Sequence, residues 1–268
     1  MFDVHHHLLY GLDDGPKTLE DSIAQAEAAA ADGITHVVCT PHASHRYDFL
    51  PEVNAERLAE LRAVLAERNI PLTLAQGCDF HITYDNIEDA KKHPSRYSIN
   101  GKQYILIELP EQFLQNAVSN AQTELMSARM IPVLTHPERN MSIQRDPGRI
   151  RHWVADGMLV QVTAGSLLGE FGKTARAISN RYVEDHWATI VATDAHNTTS
   201  RPPNLRPAYQ YLSQNFGEET ARRLCITNPQ RIFEGEALGP QPYPRGIDDH
   251  DEPSGGFRGG FLRRLFGR

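Results

Sequence analysis

Apolar residues along this chain gather into short runs, and each run is followed by a stretch with helical periodicity. The runs fall at 2–4, 36–39, 72–75, 104–108, 132–134, 159–162 and 189–192. The helical stretches fall near 18–31, 53–68, 87–92, 117–128, 147–155, 174–185 and 208–215. Thr18 with Asp21 reads as a capping box that opens the first helix, and Gly33 reads as its stop. Asn100-Gly101, just before the fourth run, carries a type I′ hairpin signal. Strands alternating with helices predict a parallel α/β fold. The spacing alone does not separate an open sheet from a barrel. After Gly235 the pattern gives way to Pro, Gly and Asp through Gly256. The expected organisation is a domain over 1–235, a flexible acidic linker over 236–256 and a short tail over 257–268.

Composition narrows the class. The chain has 268 residues, enough to bury a substantial core, and a formal net charge of −7. Its Lys and Arg are scattered, which disfavours nucleic acid as a partner. No apolar run approaches the roughly 18 residues of a membrane span, and the N-terminus lacks a signal-peptide layout. The three cysteines (Cys39, Cys78, Cys225) form no C-x-x-C, which suits a reducing cytoplasm. The unusual count is 13 histidines.

Those histidines fall at strand ends. In "MFDVHHHLLYGLDDG", alternation puts His5 and His7 on one face and turns His6 away. Gly11 and Asp13-Asp14-Gly15 read as turn residues after the strand. The later runs end at His42, at Asp79 and His81, at Glu108, at His136 with Glu138 and Arg139, and at Asp194 and His196. Chemistry in parallel α/β folds collects at the C-terminal strand ends. Glu108 follows an apolar run, where a carboxylate is costly unless paired or bound to a cation. Histidine with carboxylates and no thiolate pattern suits Mn, Fe or Zn. There are more donors than one ion can use, so two or three divalent ions are expected, Mn first, with Glu108 as the bridge. Two cations about 4 Å apart activate a water and polarise a phosphoryl oxygen. Arg139 and Arg201 offer planar forks that match phosphate.

With these residues assembled, the chain resembles the polymerase and histidinol phosphatase (PHP) superfamily. Within it, the nearer match is the bacterial capsule-type, metal-dependent protein tyrosine phosphatase branch. The resemblance is carried by "FDVHHHLLYGLDDGPKTLEDS", "GITHVVCTPH", "YILIELP", "IPVLTHPER", "VATDAHN" with "RPP" after it, and "NPQRI". It implies a distorted (β/α)7 barrel with a three-metal site. His5, His7, His42, Glu108, His136, Asp194 and His196 match the family's ligands. Asp79 falls where the family more often has Glu. Arg139 and Arg201 fall where the family places phosphate-contacting arginines. His6 and His81 match no ligand of the family. The resemblance further implies phosphotyrosine on a bacterial tyrosine kinase of exopolysaccharide synthesis as substrate.

Three other readings stand beside this one. "CITNPQR" satisfies the C-x5-R of cysteine phosphatases, but it lacks the glycines a phosphate loop needs. The same scaffold could serve another phosphoester such as histidinol phosphate. A purely structural metal site would need no phosphate clamp. The tail "GGFLRRLFGR" places Phe261, Leu262, Leu265 and Phe266 at helical spacing beside Arg263 and Arg264. So short a segment reads first as a disordered terminus without a role, and otherwise as a weak anchor to the inner membrane or to a membrane-embedded kinase.

Overall fold

The computed structural model describes residues 1–247. Among the described residues nine strands form: β1 (Phe2–His6), β2 (His36–Cys39), β3 (His42–Ala43), β4 (Thr73–Gln76), β5 (Asp79–His81), β6 (Tyr104–Glu108), β7 (Ile131–Thr135), β8 (Leu159–Thr163) and β9 (Ile190–Ala192). All pair in parallel, in a three-stranded sheet β1-β2-β4 and a six-stranded sheet β3-β5-β6-β7-β8-β9. Beyond two of the expected runs, 36–39 and 72–75, the chain makes a further short strand, β3 and β5, that joins the other sheet. Pro41, which has no N–H to donate, lies between β2 and β3. Gly77 lies between β4 and β5, where a Cβ would stand 2.6 Å from Val38 Cγ1. A parallel bridge between His6 and Ala195 joins β1 to the segment after β9.

Strand alternation sorts the core. On one face, Phe2, Val4, Val38, Ala75, Tyr104, Leu106, Val133, Leu159, Ile190 and Ala192, drawn from seven strands, pack on one another. On the other face, Val37, Phe80, Ile105, Ile107, Leu134, Val160 and Val191 meet the helices. Burying each of the valine, leucine, isoleucine and phenylalanine side chains among them contributes roughly 1.5–3 kcal/mol. Helix α1 (Leu19–Asp32) starts at the Thr18–Asp21 capping box and stops at Gly33 in the left-handed region. Helix α2 (Pro51–Glu67) buries Leu58, Leu61 and Leu65, and α3 (Tyr84–Lys92) is capped by Thr83.

Some expectations need correction. Asn100 and Gly101 do adopt positive φ of 53° and 65°. They lead into β6 from a short 3-10 turn, and β6 pairs in parallel with β5 and β7, so the turn closes no hairpin. The helical stretch at 147–155 divides into a 3-10 turn, Pro147–Ile150, and the short helix Arg151–Ala155. The part of the expected linker over 236–247 is packed. Leu238 and Ile247 are buried. Tyr104 donates its hydroxyl to the Glu236 carbonyl, and Trp187 Nε1 donates to the Arg245 carbonyl. Residues 248–268, including the basic tail, lie outside the described residues. Among the described residues, no helix is long and apolar enough to cross a membrane.

Candidate metal centre

The site forms where the C-terminal ends of the strands converge. In β6, Tyr104 and Leu106 point to the face that packs on itself, so Glu108 follows them at its mouth. The same alternation carries β5 from Asp79 to His81, with Phe80 turned to the helices. In β1 the register shifts between Asp3 and His6. Without that irregularity His6 would follow Phe2 and Val4. Instead His5 and His7 face the site, with their Nε2 atoms 3.4 Å apart. His6 turns away to Asp3, with Nδ1 2.9 Å from Oδ2, and lies 2.7 Å from Gln25 Nε2.

The eight candidate ligands read from the sequence all arrive in one place. Four overlapping groups have ligand-type atoms within 4.8 Å of one another: His5, His7 and Asp194; His5, Asp79 and His136; His42, Asp79, His81 and Glu108; and His7, Asp14, His42 and His196. Asp14 and His81 were not among the expected ligands. Asp14 has the residue type of a turn, yet its Oδ1 lies 3.4 Å from both His42 Nε2 and His196 Nε2. Its signal was a carboxylate in the loop immediately after two strand-end histidines. For His81 it was the i+2 parity with Asp79.

Neighbouring groups fix the imidazoles. His7 Nδ1 lies 2.6 Å from Asp13 Oδ2, and His5 Nδ1 lies 3.0 Å from Gln161 Oε1. Each acceptor takes a proton from Nδ1, leaving the Nε2 lone pair for a ligand. Asp13 is tied in turn by the backbone N–H groups of Gly15 and His42. His136 and Asp194 hold left-handed backbone, with φ of 32° and 53°. Such positions cost a non-glycine residue about 1–3 kcal/mol and cluster at functional sites.

The floor is dry and highly charged, and the rim is open. His5 and Asp79 are fully buried, whereas the Asp14 side chain is 46% exposed. Burial opposes protonation of His5, but Asp194 and Asp79 overcome it and raise its pKa to about 9. Burial likewise opposes a charge on His42, yet Asp14, Asp79 and Glu108 raise it to about 11. Burial disfavours the charged carboxylates of Asp79 and Asp194, but their cationic neighbours hold both well below the usual range. His136 is pushed well down by burial and by Arg139. Several buried polar atoms find no hydrogen-bond geometry among the described residues: both Asp79 oxygens, Glu108 Oε2, His42 Nδ1 and His196 Nε2. Orphaned oxygens and imidazole nitrogens aimed at common points fit divalent cations.

Arg139 and Arg201 both donate to Asp194 Oδ2 at the edge of the centre. Arg139 also lies over the Phe171 ring at 4.3 Å. Arg201 Nε is buried and makes no hydrogen bond among the described residues. A cavity of about 570 Å³ lined by Gln115, Arg149, Arg181, Trp187 and Arg245 contains none of these groups. Cys225 is fully buried in the segment Arg223–Thr227, and burial pushes its thiol pKa up. That environment suits an inert small hydrophobe and not a thiolate nucleophile.

Comparison with known proteins agrees with this geometry. Residues 1–234 match the family described as capsular polysaccharide synthesis, CpsB/CapC. The tyrosine-protein phosphatase YwqE of Bacillus subtilis is 34% identical over 243 residues, covering 90% of this chain and 95% of that protein. The tyrosine-protein phosphatase CpsB of Streptococcus pneumoniae is 27% identical over 239 residues, covering 87% of this chain and 98% of that protein. A solved structure from work on YwqE and CpsB, described as unique metal-dependent tyrosine phosphatases, superposes with a TM-score of 0.83 at 34% identity. It covers 91% of this chain and 100% of that one.

Proposed function

This chain belongs to the CpsB/CapC family, and on that premise we propose that it is a metal-dependent phosphatase acting on phosphotyrosine in protein. The observation that carries the reading is the convergence of orphaned carboxylate and imidazole atoms beside two arginine forks. The centre would take two to three divalent ions, Mn²⁺ first and Fe or Zn as alternatives, because its four groups together hold more donor side chains than one ion can coordinate. His5, His7, Asp14, His42, Asp79, Glu108, His136, Asp194 and His196 would hold them. Once bound, such ions supply Lewis-acid polarisation of the phosphoryl group and a water acidified toward neutrality.

The chain's own residues do the rest. Arg139 and Arg201 grip the non-bridging phosphoryl oxygens. Asp194 anchors one end of each guanidinium, and the remaining N–H donors stay available to the anion. Glu108 belongs to the rim group, but its Oε1 lies 3.8 Å from His136 Nε2 while its Oε2 meets His81 Nε2, so it would hold ions on both sides. Asp13 and Gln161 hold the Nε2 lone pairs of His7 and His5 on the centre. A tyrosinate leaving group, with a pKa of about 10, departs without the strong acid assistance an alkoxide requires.

The mutual packing of one face from seven strands, with the His6–Ala195 bridge, supports a distorted barrel closed between its first and last strands. We take residues 1–235, with the segment 236–247 that packs against them, as the phosphatase domain. The substrate in keeping with the family is a bacterial tyrosine kinase of capsule or exopolysaccharide synthesis, met in the cytoplasm or at the inner face of the membrane. The deciding experiment is a panel of phosphotyrosine peptide, phosphoserine peptide and histidinol phosphate. Preference for phosphotyrosine is expected, with Cys225→Ser at wild-type rate. Preference for histidinol phosphate would move the enzyme to small-molecule chemistry, and a trapped phosphocysteine would overturn the mechanism.

The electrostatics add a pH expectation. His5 keeps its proton below about 9, and a ligand must give that proton up. Metal uptake by chelator-stripped protein should therefore release protons and tighten as pH rises toward that value. Titrating Mn²⁺ in buffers of different ionisation enthalpy measures the release, and affinity independent of pH between 6 and 8 would contradict it.

A further inference from the structure

His81 is the imidazole at the rim that the expected ligand set leaves without a role. It lies two residues beyond Asp79 on β5, on the same face. Its register partner on β6 is Glu108, so the pairing itself sets the two side chains next to each other. His81 Nε2 touches Glu108 Oε2, yet that oxygen has no hydrogen-bond geometry among the described residues. Together with His42 and Asp79, these two groups present ligand-type atoms within 4.8 Å of one another, as the ligands of one cation do.

Asp79 explains why the rim needs another donor. Its carboxylate belongs to two groups, one with His5 and His136 on the floor and one with His42, His81 and Glu108 at the rim. Asp79 Oδ2 lies 3.1 Å from His42 Nδ1 and 3.6 Å from His5 Nε2, so it stands between the two positions. An aspartate has one methylene fewer than a glutamate with which to serve both. Neither of its oxygens makes a hydrogen bond that would hold it to one side.

We propose that His81 is a direct ligand of a cation at the rim, completing a site of two imidazoles and two carboxylates with His42, Asp79 and Glu108. The inference rests on the metal-dependent reading of the centre and adds a donor to it. The His81 side chain is 22% exposed, so an ion held there exchanges with solvent more readily than one on the floor.

The test uses the full chain, stripped with chelator and titrated with Mn²⁺, with metal equivalents counted by elemental analysis. Relative to wild type, His81→Gln should weaken the last ion to fill by about tenfold or more and leave the tighter ions unchanged. The visible spectrum of Co²⁺ added as the last equivalent should change as a nitrogen donor is lost. Lengthening the shared carboxylate in Asp79→Glu/His81→Gln should recover much of the lost affinity. Wild-type stoichiometry, affinity and Co²⁺ spectrum in His81→Gln would overturn the assignment. Lost affinity with an unchanged Co²⁺ spectrum and no recovery in the double variant would do so too, by making His81 a positioning partner of Glu108. If wild type itself takes up no Mn²⁺ or Co²⁺, the metal-dependent reading fails first and the inference with it. A circular-dichroism melt of each variant separates these outcomes from misfolding.

Discussion

Alanine at His5 or His7 should lower turnover of p-nitrophenyl phosphate by about 10² or more, because a catalytic metal supplies several kcal/mol and each 1.36 kcal/mol is tenfold. His5 is the more damaging loss. Both histidines belong to two of the donor groups, but His5 Nε2 lies 3.4 Å from Asp194 and 3.6 Å from Asp79, whereas His7 Nε2 meets one carboxylate among the described residues, Asp194 at 3.4 Å. Removing His5 leaves two buried carboxylates facing each other with less positive charge between them, which adds a stability cost. His6→Ala acts elsewhere. It breaks a buried network with Asp3 and Gln25, so it should cost about 1–3 kcal/mol of stability while bound metal is retained. Elemental analysis beside kinetics checks all three variants. Chelator should abolish turnover and Mn²⁺ should restore it. Equal metal loss at positions 5, 6 and 7 would refute the division of faces along β1.

Arg139→Ala and Arg201→Ala should each lower kcat by about 10²–10³, the scale on which a preorganised donor to developing charge is worth in a partly dry site. Arg139→Lys should recover little, since an ammonium cannot reproduce a fork that holds Asp194 with one N–H and phosphate with others. It would also lose the stacking over Phe171. Steady-state kinetics with a phosphotyrosine peptide, together with inhibition by inorganic phosphate, reads both effects. Unchanged kcat and phosphate affinity in both alanine variants would return the arginines to ordinary partners of Asp194.

Most of the centre was legible because each donor sits at the end of an apolar run, where strand period and metal chemistry point the same way. His42, Glu108, His136, Asp194 and His196 are of this kind. What stayed hidden arises from features with two readings. Asp14 has the residue type a tight turn prefers, so turn chemistry concealed a donor. The shift between Asp3 and His6 has no composition signature, although it decides that His5 and not His6 follows Val4 to the site. The segment 236–247 looks like a linker because Pro and Gly dominate it. Its packing depends on Leu238 and Ile247 reaching grooves made by distant residues, which no local pattern encodes. The Asn100-Gly101 signal foretold the backbone angles and not the pairing, because parallel neighbours were available to β6 on both sides.

The left-handed backbone at His136 and Asp194 bears on how this protein can be engineered. A search for stabilising substitutions would nominate both positions, since glycine or asparagine relieves about 1–2 kcal/mol there. At position 136 the change would gain that relief by deleting a donor, whereas at position 194 it would also delete the buried carboxylate that pairs with His5, Arg139 and Arg201, a loss of about 3–5 kcal/mol that outweighs the relief. Thermostabilised variants of this chain should therefore be sought among its helix surfaces and loops, with 136 and 194 held fixed. Any library selected on heat resistance alone should accumulate inactive members at codon 136.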